Sequence, residues 1–188
     1  MTLRQTGKWY FMRHASTRAN AQRVYNPADD TLTHEGQSEA CATEGYFDSV
    51  HLDKVYSSPL VRALATAAHM GLKPTLEPAL ADRSFGAFTG KRYGSMRIES
   101  RNSGVDPGRF APPGGESYED VRARVLRFLA ALPAGDYLFI THAGVIMQVV
   151  HELTGRDWRD IRVQNCALWV FEDGKLMHEN WRPWLRKE

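Results

Sequence analysis

A chain of 188 residues is one ordinary domain with room for a real core, and its composition is that of a soluble globular protein. The formal charge of +2 balances 24 basic against 22 acidic residues, so net charge gives no reason to expect a nucleic-acid surface. No segment approaches membrane-spanning length, and Met1 to Lys8 is polar with no apolar stretch behind it, so neither a membrane span nor a secretion signal is expected. The two cysteines, Cys41 and Cys166, lie far apart without metal-ligand spacing. They read as reduced, partly buried thiols in a reducing compartment, which points to the cytoplasm. No internal repeat or low-complexity segment is present.

Residues 8–12 form the first expected strand, an apolar aromatic run that stops at Arg13-His14. Ser16, Thr17 and Asn20 follow with small polar groups. A guanidinium, an imidazole, hydroxyls and an amide suit an anion, phosphate above all. Histidine can also attack phosphorus, because its neutral ring has a free lone pair near neutral pH. The competing reading is a strand end whose Arg-His pair sits on the surface. Residues 18–33 read as a polar loop with turn signals at Asn26-Pro27 and Asp29-Asp30. Thr33 can cap a weak helix over 34–47, interrupted by Gly36 and Gly45. Residues 53–57 suggest a second strand. Ser57-Ser58-Pro59 is a helix start with serine as N-cap and proline at the first helical position. That helix runs to Gly71 and puts Arg62 on its first turn.

Residues 72–80 read as extended and broken by Pro74 and Pro78, and Asp82-Arg83-Ser84-Phe85-Gly86 follows. Residues 86–115 are rich in Gly, Ser, Pro and Arg, with one short helix near 91–99, and form the expected lid or insertion. Lys91, Arg92, Arg97, Arg101 and Arg109 stand there against Glu99 and Asp106. Either this is a solvated surface loop or a lid that favours anionic substrates. Ser117 and Asp120 make a capping-box-like start. The helix behind them buries Val121, Val125, Phe128, Leu129 and Leu132 and turns Arg122 and Arg124 away. Residues 137–141 form a buried strand, His142-Ala143-Gly144 follows, and residues 145–153 form an apolar helix stopped near Gly155. Residues 167–171 and 175–178 flank Asp173-Gly174 as a hairpin. The tail, with Trp181, Arg182, Trp184, Arg186 and Lys187, either docks on the body or binds a partner.

Three units share one pattern: a strand, a polar residue at its end, and a helix or loop beginning there. Their polar residues are Arg13-His14, Arg62 and His142. Strands separated by helices favour a largely parallel sheet, in which ligands bind beyond the carboxyl ends of the strands. That rule gathers two histidines and two arginines at one edge, with helix starts near Pro59 and Ala143 adding N–H groups and positive dipole ends. The expected fold is therefore a single-domain α/β/α sandwich over residues 1–188, with a mostly parallel sheet, a C-terminal hairpin at its edge and a small lid over about 86–115. His34, His51, His69, His151 and His178 show no shared spacing, and no metal site is expected.

These motifs together resemble the histidine phosphatase superfamily, in its phosphoglycerate mutase-like branch. Arg13-His14-Ala15-Ser16-Thr17-x-x-Asn20 looks like its signature, with Ala15 where glycine is usual. Leu32-Thr33-x-x-Gly36, Ser57-Ser58-Pro59-x-x-Arg62-Ala63-x-x-Thr66-Ala67, Pro113-Gly114-Gly115-Glu116-Ser117 and Thr141-His142-Ala143-Gly144-Val145-Ile146 resemble its other motifs in the family's order. The resemblance implies that His14 attacks phosphorus and carries a phosphohistidine. Arg13, Arg62 and His142 would bind the phosphoryl oxygens, with Asn20 and Thr17 assisting, and water would then release phosphate. No cofactor or metal is called for, because arginines and histidines supply the positive charge. Asp82, three residues before Phe85-Gly86, stands where the family commonly has glutamate, and would be the acid; otherwise it pairs with Arg83 or caps a turn. The reading that follows is a metal-independent phosphomonoesterase acting on a small phosphorylated metabolite, a monomer or homodimer with no nucleic-acid or membrane partner. The alternatives are a phosphoglycerate mutase, a protein (phosphohistidine) phosphatase and a non-catalytic phosphate-binding module.

Overall fold

The computed structural model describes residues 5–185; Arg186 and Lys187 of the sequence reading lie outside them. The centre of the molecule is β1 (Lys8–Arg13), hydrogen-bonded in parallel to β4 (Tyr137–Thr141) and antiparallel to β5 (Leu168–Glu172). β2 (Lys54–Ser57) and the short β3 (Thr75–Leu76) extend the parallel side, and β6 (Lys175–Trp181) closes the other edge. The sheet order is β3-β2-β4-β1-β5-β6, four parallel strands with an antiparallel hairpin at one edge, as the sequence suggests.

Side chains alternate across a strand, so each central strand feeds two cores. Trp9 and Phe11 of β1, Phe139 of β4 and Trp169 of β5 pack with α5 (Tyr118–Ala130) and α6 (Ala143–Thr154). Tyr10 and Met12, Leu138 and Ile140, and Leu168 and Val170 face the opposite way, onto α3 (Val61–His69). A strand buried on both faces reads as a continuous apolar run, which is why β1 and β4 are legible in the sequence. The Asp173-Gly174 turn has φ of 48° and 78°, the pair of positive values that a two-residue hairpin with native twist requires.

Several boundaries differ from expectation. The 18–33 segment holds a short helix, α1 (Arg18–Gln22), capped by Thr17 and ended by Arg23 in the left-handed region. Five residues are too few to show a helical period. α2 (His34–Cys41) is capped by Thr33 as expected but stops early. Gly45, with φ 75°, then opens a separate 3-10 turn at Tyr46–Ser49. α3 begins at Val61 because Leu60 is extended, and Ser57, Ser58 and Pro59 lie outside the helix. The helix expected near 91–99 is α4 (Ser95–Asn102) and starts late, because Gly94 is left-handed with φ 92°. Cys41 is exposed rather than partly buried, and Cys166 is buried. The tail docks on the body: Trp184 meets Tyr46, and Arg182 Nη2 donates to the Asn165 carbonyl.

Candidate active site

The parallel ladder continues one residue beyond its strands. His14 N donates to the Thr141 carbonyl at 2.9 Å, and Ser58 N donates to the Ile140 carbonyl at 2.9 Å. His14, Ser58 and His142 are thereby set side by side at the carboxyl edge of the sheet. The rings of His14 and His142 lie 5.1 Å apart, although their positions are separated by more than half the chain. Arg62 arrives on the first turn of α3 and is 1% exposed.

His14 is 2% exposed, and its Nδ1 lies 2.7 Å from the Ala15 carbonyl. A carbonyl only accepts, so Nδ1 carries the proton and Nε2 keeps its lone pair. Burial holds the His14 pKa well below the usual histidine value, and the nearby His142, Arg13 and Arg62 push the same way. Ser58 Oγ accepts from Leu60 N and lies 2.7 Å from His142 Nε2. With the Ser58 proton given to Nε2, His142 carries its own on Nδ1. That atom is buried, makes no hydrogen bond among the described residues and lies 3.6 Å from Asp82 Oδ2. Burial, then Arg62 and Arg13, depress the His142 pKa strongly as well.

Arg13 is anchored by Nη1 on the Val163 carbonyl at 2.6 Å. Arg62 reaches the Pro27 carbonyl at 3.1 Å and Asp82 Oδ2 at 2.9 Å. Arg13 Nε, Arg62 Nε and His142 Nδ1 are buried donors without a protein partner among the described residues. Each such donor costs about 1–3 kcal/mol unless an acceptor reaches it, so the cluster favours an anion rich in oxygens. The amino end of α6 adds unpaired N–H groups and the positive end of its dipole. Among the described residues, no group of three or more His, Cys, Asp and Glu side chains could hold a metal ion.

Thr17 and Asn20 stand beside this cluster within a polar web. Thr17 Oγ1 accepts from Asn20 N and from Asn26 Nδ2 at 2.8 Å. Asn20 Nδ2 faces Asn26 Oδ1 at 3.2 Å and the Tyr93 hydroxyl at 3.3 Å. Asn165 Nδ2 donates to the His14 carbonyl at 2.9 Å and to Asn20 Oδ1 at 3.0 Å.

The sequence reading missed Ser58 and Asn165 as parts of the site, and it placed Arg124 wrongly. Arg124 does not turn away. It donates to the Ala79 carbonyl at 2.6 Å, to the Asp82 carbonyl at 3.1 Å and to Glu116 Oε1 at 2.9 Å. Burial raises the Glu116 pKa, but hydrogen bonds from Arg124 and Ser84 N outweigh it and leave the group below the usual carboxylate range. Asp82 itself lies in the cluster, and its Oδ1 accepts from Arg83 N at 2.9 Å.

Fold and site together define an α/β protein with a cationic, anion-sized centre at the carboxyl edge of its parallel strands. The model of the histidine phosphatase superfamily (branch 1) matches residues 9–179, and the chain belongs to that family. The chain is 29% identical over 122 residues to fructose-2,6-bisphosphatase TIGAR of Xenopus laevis, a match covering 60% of this chain and 44% of that protein. It spans about half the length of the other TIGAR relatives it matches as well. It is 29% identical over 186 residues to a 2,3-bisphosphoglycerate-dependent phosphoglycerate mutase of Methylobacterium radiotolerans, covering 85% of this chain and 86% of that one. The crystal structure of phosphoglycerate mutase from Thermus thermophilus superimposes with a TM-score of 0.78 at 29% identity, over 93% of this chain and 99% of that one.

Proposed function

We propose that the protein is a metal-independent phosphomonoesterase that hydrolyses a small phosphorylated metabolite through a phosphohistidine on His14. One observation carries this reading. The Nδ1–Ala15 bond of 2.7 Å leaves Nε2 of His14 as a lone pair beside three buried, unpartnered donors. A nucleophile held neutral by burial, next to groups that stabilise phosphoryl oxygens, is what phosphoryl transfer requires.

In this reading Nε2 of His14 attacks phosphorus while the ester P–O bond breaks. Arg13, Arg62 and His142 Nδ1 hold the non-bridging oxygens, and Thr17 and Asn20 complete the cradle. Asp82, in its acid form, gives its proton to the leaving oxygen. A water then attacks the phosphohistidine as the Asp82 carboxylate takes the water's proton. The P–N bond breaks, and phosphate leaves with His14 restored. Asp82 already touches Arg62 and faces His142, which supports its role although it is one methylene shorter than glutamate. Cys41 and Cys166 are both free thiols, which suits a reducing cytoplasm. Among the described residues no helix is long and apolar enough to cross a membrane.

The test is hydrolysis of p-nitrophenyl phosphate with a chelator present. The protein should turn over, and His14→Ala should lose about a thousandfold or more. Equal turnover in the two would remove His14 from the mechanism.

The mutase reading is favoured by the Methylobacterium relative, whose match spans most of both chains. It separates cleanly: a phosphoryl label on the enzyme passes to water in a phosphatase and to 3-phosphoglycerate in a mutase.

A further inference from the structure

The 18–33 segment buries Asn26, which is 8% exposed and belongs to none of the strand-end units that supply His14, Arg62 and His142. Its side-chain amide joins three groups. Nδ2 donates to Thr17 Oγ1 at 2.8 Å and to Asp30 Oδ2 at 2.7 Å, and Oδ1 accepts from Asn20 Nδ2 at 3.2 Å. The next residue, Pro27, offers the carbonyl on which Arg62 Nη1 rests at 3.1 Å. One turn thus touches Thr17, Asn20 and Arg62, all members of the proposed phosphoryl cradle.

The sense of each bond follows from groups that only accept. A carboxylate has no proton to give, so the nitrogen of Asn26 faces Asp30 and its oxygen faces Asn20. Asn20 must then turn its own nitrogen toward Asn26. The opposite side imposes the same orientation. The His14 carbonyl only accepts, so Asn165 presents Nδ2 to it at 2.9 Å, and that nitrogen also reaches Asn20 Oδ1 at 3.0 Å. Asn20 is held between Asn26 and Asn165 with one edge of its amide assigned to each. Thr17 is oriented in the same way. A hydroxyl has one proton and two lone pairs. Those of Thr17 accept from Asn26 Nδ2 and from Asn20 N at 3.3 Å, and its proton meets no acceptor among the described residues, on a side chain that is wholly buried. An amide or a hydroxyl can meet an anion with hydrogen or with a lone pair, and only hydrogen is attractive.

We propose that Asn26 is a positioning residue of the phosphoryl cradle: it turns Thr17 and Asn20 so that both meet phosphoryl oxygens with hydrogen, while Asn165 secures Asn20 from the other side. This rests on the phosphomonoesterase reading, in which Thr17 and Asn20 bind the phosphoryl group, and adds residues that act only through those two. The test is a set of double-mutant cycles, read by calorimetric titration of inorganic phosphate and by kcat/KM for p-nitrophenyl phosphate. Asn26→Ala should weaken phosphate about tenfold and lower kcat/KM by a similar factor. In protein already carrying Thr17→Val and Asn20→Ala, the same substitution should change either quantity by less than about twofold, because nothing remains for it to orient. Asn165→Ala should weaken phosphate about threefold or more, lose most of that effect beside Asn20→Ala, and keep it beside Thr17→Val. Asn26→Leu, of similar size, repeats each measurement without leaving a cavity, and thermal melting identifies the folded variants. A merely structural role gives losses that persist in every background. An Asn26 effect that persists without Thr17 and Asn20, no effect on phosphate in the otherwise intact protein, or an Asn165 effect independent of Asn20 overturns the proposal. Phosphate bound without turnover contradicts only the catalytic reading, since the cycles are read on binding as well; phosphate not bound at all contradicts both.

Discussion

At the residue scale, phosphoryl transfer depends on which nitrogen of His14 is free. Its Nδ1 is tied to Ala15, and Ala15 N is in turn held by Thr66 Oγ1 at 3.0 Å, so the ring cannot easily turn over. The proposed acid gives a sharp prediction. Asp82→Asn should slow hydrolysis of an alkyl phosphate about a hundredfold while changing an activated aryl phosphate little, because only a poor leaving group needs a proton. Measuring both substrates on one preparation decides it, and equal losses would return Asp82 to a structural partner of Arg62 and Arg83. His14, Arg62 and His142 were legible because each sits at a strand end or helix start with recognisable punctuation. Ser58 was not, since a serine before proline reads as a helix cap. The Ser58 Oγ–His142 Nε2 contact spans 84 residues, and local sequence carries no sign of it.

At the element scale, α5 acts as a strut as well as a core helix. Its buried face, Val121, Val125 and Leu129, was legible from the 3.6-residue period. Arg124 lies off that face and reaches back to the segment carrying Asp82. Arg124→Met should therefore lower kcat for an alkyl phosphate about tenfold with a small change in KM, since the acid loosens while the phosphoryl cradle stays. Steady-state kinetics beside a circular dichroism melt would check this; a loss confined to KM would contradict it. The 86–115 segment was legible as basic and loop-rich but not in its structure. Its helix is placed by Gly94 in a left-handed turn and by the Val24–Arg92 bridge to the 18–33 segment, both decided by tertiary pairing.

At the scale of the whole molecule, the sheet brings distant segments into one site and buries two neutral imidazoles with them. His14 and His142 both have folded-state pKa values depressed well below the usual histidine value, by burial first. Their unfolded values lie near 6.5. Above that pH neither state binds the proton, and the full stability is present. As pH falls below about 6.5 the unfolded chain takes up protons that the folded chain refuses, so stability is lost toward acid. Thermal melting in phosphate-free buffer should drop between pH 7.5 and 5.5, and less steeply for His14→Gln. Identical slopes would show that His14 is not held neutral. The parallel half of the sheet and its hairpin edge were readable from apolar runs and from Asp173-Gly174, whereas strand order was not, because pairing across the sheet leaves no local mark.

The most direct measurement is to mix the protein with p-nitrophenyl phosphate, quench in base, where phosphohistidine survives, and locate the phosphoryl group by peptide mass spectrometry. The expected result is a phosphoryl group on His14 that disappears as phosphate is released. A phosphoryl group on another residue, or turnover with no phosphorylated protein at any time, would contradict it.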